Sequence, residues 1–172
     1  MTALGKRAGK VLVVGVGNPD RGDDGVGPMV ARQLREWALP EAVIMERSGD
    51  ALALMEDWAG HEAVVLVDAA AAPGGVAGRG TVPGRVHRID LLEDALPPGL
   101  SLSSTHALGV AEAVGLARAL GRLPGCLVAY AVVGEDFAPG AGLSPAVAAA
   151  AEGVVARVAD EVRQLAKDPA HA

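Results

Sequence analysis

Residues 15–27, GVGNPDRGDDGVG, place Asp20, Asp23 and Asp24 in a glycine-rich turn directly after an apolar run. A glycine turn of this kind usually cradles a phosphate, because the N-terminus of the following helix favours an anion. Carboxylates in the turn reverse that preference and suit a cation. Asp68 stands at the end of the run Val64, Val65, Leu66, Val67, where its charge must reach solvent or a partner. A loop hydrogen bond or helix cap would satisfy it, and so would a site. His106 precedes an apolar helical pattern; a helix N-terminus favours the neutral imidazole, the form that binds metal, although a histidine at a helix start also serves in purely structural roles. If they converge, one carboxylate of the pair Asp23 and Asp24, with Asp68 and His106, makes an oxygen and nitrogen ligand set suited to a zinc- or nickel-like divalent ion. Either Asp23 or Asp24 could instead cap the helix that begins near Gly25, leaving the other free for the site.

These side chains need elements to hold them. The continuous apolar run over 10–16 predicts a strand buried on both faces, and 62–70 predicts another. Shorter runs predict strands over 42–47 and 126–134. Residues 85–91 alternate Val86, Ile89 and Leu91 with His87, Arg88 and Asp90, as an edge strand would. Val26, Met29, Val30, Leu34 and Trp37 recur at helical spacing, with Arg32, Arg35 and Glu36 left for solvent. A short helix ends at Gly60, and a capped helix is expected over 105–120. A final helix starts with Ser144 as N-cap and Pro145 at its first position, burying Val147, Ala151, Val154, Val155, Val158, Val162 and Leu165. Ala71 to Gly84 reads as a long glycine-rich loop, and the tail 167–172 as frayed. Strands alternating with helices predict a three-layer α/β/α sandwich, with a mostly parallel five-stranded twisted sheet and the whole chain 1–172 as a single domain.

Composition narrows the function classes. The 172 residues are 51% apolar with only two Trp, one Tyr and one Phe, so Ala, Val and Leu must build the core. A net charge of −6 argues against a nucleic-acid partner. The lone Cys126 excludes an internal disulfide and a cysteine metal site. No apolar run approaches the ~18 residues of a membrane span, so a cytoplasmic protein without membrane insertion is expected.

In open α/β sheets the functional crevice lies beyond the carboxyl ends of the strands. The polar residues expected there are Asn18, Asp23 and Asp24, then Ser48, Gly49 and Asp50, then Asp68, then Ser103 to His106, and last Glu135 and Asp136. Of these, Asn18, Asp23, Ser48, Gly49 and Asp50 are the candidates for touching a substrate. A nucleotide-binding oxidoreductase is a competing reading, with Glu46 as its ribose-binding acid. It is weakened by Asp20, which occupies the third glycine position of the dinucleotide fingerprint.

Four segments, VLVVGVGNPDRGDDGVGP, VVLVDA, SSTHALGVAEAV and GLSPAV, in this order across nearly the whole chain, resemble the hydrogenase maturation endopeptidases. The resemblance implies an α/β/α fold and removal of a carboxy-terminal extension from the nickel-loaded precursor of a nickel-iron hydrogenase large subunit. It carries that family's metal-contacting and catalytic positions onto Asp24, Asp68 and His106. Nickel is then presented by the substrate, and the free protein holds at most an adventitious divalent ion such as Zn, Cd or Ni. Ser48-Gly49-Asp50 departs from the Gly-Gly-Thr turn frequent in the family, as does Ala107 from the glutamine often found after the histidine, so the choice of hydrogenase partner stays open. A binding module that checks nickel loading without cutting is the alternative within this resemblance.

Overall fold

The computed structural model describes residues 10–71, 82–102 and 109–168. Six strands form one sheet: β1 (Val11–Val16), β2 (Ala42–Arg47), β3 (Ala63–Ala71), β4 (Val86–Asp90), β5 (Ser101–Leu102) and β6 (Cys126–Val133). The main order is β2-β1-β3-β6-β4. The first four of these run parallel, and β4 closes the edge antiparallel to β6. The five expected strands are therefore present, with β4 at the edge that its alternation predicted. The sixth, β5, adds only two residues, antiparallel to Ala70 and Ala71 of β3.

Four helices cover the two faces: α1 (Val26–Glu36), α2 (Ala51–Trp58), α3 (Val110–Ala119) and α4 (Pro145–Lys167). Strand alternation divides the core between them. Val11, Val13, Val65, Val67, Val128 and Val132 pack under α1 and α4. Leu12, Val14, Val64, Leu66, Leu127 and Ala129 pack under α2 and α3. Every apolar residue expected along α4 is buried. Among the described residues, no helix is long and apolar enough to cross a membrane.

Three local expectations shift. Trp37, read as part of the buried stripe of α1, is 49% exposed. The helix ends at Glu36, Ala38 turns left-handed with φ 49°, and Leu39 closes the core in its place. The helix expected from 105 has its N-cap at Gly109, whose extended backbone (φ −109°, ψ −156°) marks a later start, and the Glu112 side chain accepts the Gly109 N–H at 2.8 Å. Residues 105–108 lie outside the described residues, as do 72–81 of the long loop and 169–172 of the tail. Lys167 is still helical.

One buried polar group escaped the sequence reading. Glu161, on α4, accepts two hydrogen bonds from the Arg88 guanidinium (2.7 and 2.8 Å) and one from the Tyr130 hydroxyl (2.6 Å). It thereby ties the antiparallel edge strand to the helix layer. The Arg88 guanidinium holds the Glu161 carboxyl below the usual range against the opposing effect of burial.

The first turn of α1 lies hard against the sheet. A side chain at Gly27 would strike the carbonyl oxygens of both Val16 and Val67, and one at Gly15 would strike Gly27 and Ala31. This close approach sets the height of α1, and of the turn before it, over β1 and β3. Gly27→Ala should cost stability at the upper end of the roughly 1–3 kcal/mol typical of overpacking, because rigid backbone is the obstacle. Chemical denaturation of the variant measures it.

Candidate active site

The acidic turn is built between β1 and α1. Gly17 leaves β1 with φ 137°, and a Cβ there would collide with the Asp24 carbonyl. A 3₁₀ turn, Gly22–Gly25, follows and carries both Asp23 and Asp24. It is stitched to the segment between β6 and α4: Gly22 N–H donates to Ala141 O (3.0 Å), Asp23 N–H to Asp136 O (2.7 Å) and Gly140 N–H to Asp20 O (2.7 Å).

The two adjacent aspartates do different work. Asp23 is fully buried, and its carboxylate accepts three backbone N–H bonds, from Glu135 (2.8 Å), Asp136 (3.1 Å) and Ser144 (2.7 Å). Both of its oxygens are engaged inside the protein, away from any substrate. Neither aspartate stands at a helix N-cap, since those positions are Arg21 for the 3₁₀ turn and Gly25 for α1. Ser144 is the N-cap residue of α4 as expected, but its hydroxyl makes no cap bond. Instead its backbone N–H is held by Asp23.

Asp24 is 3% exposed and accepts the Asn18 N–H at 2.9 Å. Asn18 in turn accepts the Asp20 N–H through its side chain (2.9 Å), so it shapes the turn from both ends.

Asp68 lies within β3 rather than at its end, because the strand continues to Ala71. On one edge it pairs with Ala131 of β6. On the other edge the last register pair with β1 is Gly15↔Val67, and Ala70 pairs with Leu102 of β5. Alternation directs Asp68 to the α2–α3 face, with Leu66 and Ala70. The residue is 1% exposed, and among the described residues neither carboxylate oxygen has a hydrogen-bond partner of good geometry.

Burial raises the Asp68 carboxyl well above the ordinary carboxylate range. The nearby Asp24 charge raises it further, and the Ala69 amide offsets only part. Asp24 and Asp68 are therefore close enough to repel one another. The third expected member, His106, lies outside the described residues, as do Ser103, Ser104 and Thr105. The described residues on either side, Leu102 and Gly109, lead into the α2–α3 face: Leu102 and Val110 both belong to its core. Among the described residues, no three His, Cys, Asp or Glu side chains gather to hold a metal.

The remaining candidates sort by geometry. Asp50 is the N-cap of α2, its side chain accepting the Ala53 N–H at 2.9 Å. Ser48 is exposed, and Gly49, with φ 101°, is buried against the Val16 side chain, which a Cβ there would crowd at 3.3 Å. Glu135 and Asp136 are exposed, and their backbone N–H groups serve Asp23. Glu46 is committed to Arg32 and Arg35, and so is not available as a ribose-binding acid.

Comparison with known proteins gives one consistent result. A family model described as hydrogenase maturation protease matches residues 28–161, more than half of the chain. The chain is 28% identical over 159 residues to the hydrogenase 2 maturation protease of Escherichia coli strain K12, covering 90% of this chain and 92% of that one. An endopeptidase from E. coli solved in solution has the same fold with a TM-score of 0.69 at 24% identity, covering 90% of this chain and 93% of that one. A hydrogenase 2 maturation peptidase from a Thaumarchaeota archaeon matches at 26% identity with a TM-score of 0.59, covering 88% and 97%.

Two measurements test the division of labour between the carboxylates. Asp23→Ala removes a charged acceptor from three backbone donors and should cost about 3 kcal/mol or more in urea unfolding. Asp68→Asn should act in the opposite direction and raise the melting temperature, because it removes a buried carboxylate. The wild-type penalty is absent below the unfolded carboxyl pKa of about 4, grows as pH rises above it, and levels off above the raised folded pKa. Melting curves across that range should therefore show the variant's advantage widening from acid towards neutral pH.

Proposed function

Because the chain belongs to the hydrogenase maturation protease family, we propose that it removes a carboxy-terminal extension from the nickel-loaded precursor of a nickel-iron hydrogenase large subunit. It recognises the nickel through Asp24, Asp68 and His106. One observation carries this reading. Asp68 is buried beside a second carboxylate, Asp24, and among the described residues its side-chain oxygens have no hydrogen-bond partner of good geometry. A chain does not keep such a pair for stability, since burial and like charge both oppose ionisation. An incoming cation reverses both effects, and two carboxylate groups with an imidazole suit nickel.

In this reading the nickel arrives with the precursor and leaves with the processed subunit. Contact with the three side chains holds the adjoining peptide bond in the crevice. The ion's Lewis acidity activates a water for attack on the carbonyl carbon, and the C–N bond then breaks with proton transfer to the leaving amine. The exposed Ser48, just beyond β2, is a point of contact for the precursor chain. Asp23 supports this work from beneath by fixing the turn that carries Asp24, and takes no part in the chemistry.

The test is incubation with a nickel-loaded large-subunit precursor, followed by mass spectrometry. The expected result is a discrete loss of mass, absent when the precursor carries no nickel. Asp24→Asn, Asp68→Asn and His106→Ala should each lower the cleavage rate by roughly two orders of magnitude or more while remaining folded. Wild-type rates in all three would remove the site assignment. Stable binding of the precursor without mass loss would identify a non-cleaving checkpoint instead.

A further inference from the structure

Arg21 is the single basic residue between Gly15 and Val26, in a turn otherwise supplied with carboxylates. Its backbone is bound into the site: its N–H donates to Asn18 O (3.2 Å), and its carbonyl accepts the Asp24 N–H (3.1 Å). Its side chain has no such commitment. Among the described residues the guanidinium makes no hydrogen bond or ion pair, and its Nε is enclosed by protein with no acceptor. Several other arginines are paired with carboxylates: Arg88 with Glu161, Arg47 with Asp57, and Arg32 and Arg35 with Glu46. An enclosed donor with no acceptor is costly and rare in native proteins. Its persistence here, three residues from Asp24, indicates an acceptor that arrives from outside.

We propose that Arg21 is a substrate-binding residue, its guanidinium receiving a planar oxygen acceptor of the precursor chain, either a carboxylate or a main-chain carbonyl. The fixed fork of a guanidinium matches such acceptors through two parallel hydrogen bonds. Next to a turn that carries Asp20, Asp23 and Asp24, a carboxylate on the substrate would otherwise meet only repulsion. The proposal rests on the precursor-processing reading above, and adds a contact that binds the chain rather than the metal.

The test compares wild type, Arg21→Gln and Arg21→Lys in three measurements: thermal melting, direct binding of the nickel-loaded precursor, and steady-state cleavage. Arg21→Gln should melt no lower than wild type, since it removes an unsatisfied group. It should weaken precursor binding and raise KM by roughly tenfold or more, with kcat changed by no more than about twofold. Arg21→Lys should recover only part of the loss, because it keeps the charge without the fork. If the acceptor is a carboxylate, the difference between wild type and Arg21→Gln shrinks as sodium chloride is raised; if it is a carbonyl, the difference persists.

Equal precursor affinity in wild type and Arg21→Gln would overturn the proposal. So would a defect confined to kcat, or one that simply follows a lowered melting temperature. Should the wild type bind the precursor without cutting it, the protease reading falls while the affinity comparison still judges Arg21.

Discussion

The site depends on one buried carboxylate, that of Asp23, and on the three backbone amides it gathers. Glu135, Asp136 and Ser144 come from the far end of the chain, more than a hundred residues away. Holding them fixes the turn after β1 against the segment that joins β6 to α4. Charge-assisted hydrogen bonds in a water-free setting suit this purpose because they are directional and costly to break. The turn carrying Asp24 is therefore fastened to both the first and the last α/β connection, and cannot drift independently of the sheet.

On that fixed support the protein keeps an arrangement that stability alone would reject. Asp68 is shut away from water on the α2–α3 face of β3, and its charge is opposed by Asp24. Gly27 keeps α1 low over this point, so that the turn and the strand come within electrostatic range of each other.

Away from the site the interior follows simpler rules. Valine, alanine and leucine fill both faces of the sheet, and the one buried charged cluster, Glu161 with Arg88 and Tyr130, secures the edge that runs against the others. Arg157 lies over the Tyr130 ring, 5.3 Å from its centre, and adds a favourable cation–π contact to that cluster. Each of the two layers of helices is thus anchored at the sheet by apolar packing, and α4 also by charge.

Much of this was legible in residue order, because local pattern reports local burial. Runs such as Val11–Val16 and Val64–Val67 can only be strands covered on both faces, and the alternation of 85–91 marked an edge. The spacing of Val147, Val154, Val158 and Val162 marked the buried side of α4. Local pattern failed where a distant partner decided the outcome. Trp37 fits the stripe of α1, but the helix ends before it and Leu39 takes the core position. Glu161 reads as solvent-facing until Arg88 and Tyr130 come across from other strands. Asp23 and Asp24 are chemically equivalent in sequence, and only the positions of three remote amides made one a structural tie and left the other beside Asp68. The sequence by itself determined the elements and the acidic character of the turn, since both follow from side-chain type and short-range spacing. Which of the two carboxylates gathers the three remote amides and which lies within electrostatic range of Asp68 was decided by tertiary structure, because hydrogen bonding and desolvation depend on neighbours that only folding brings together.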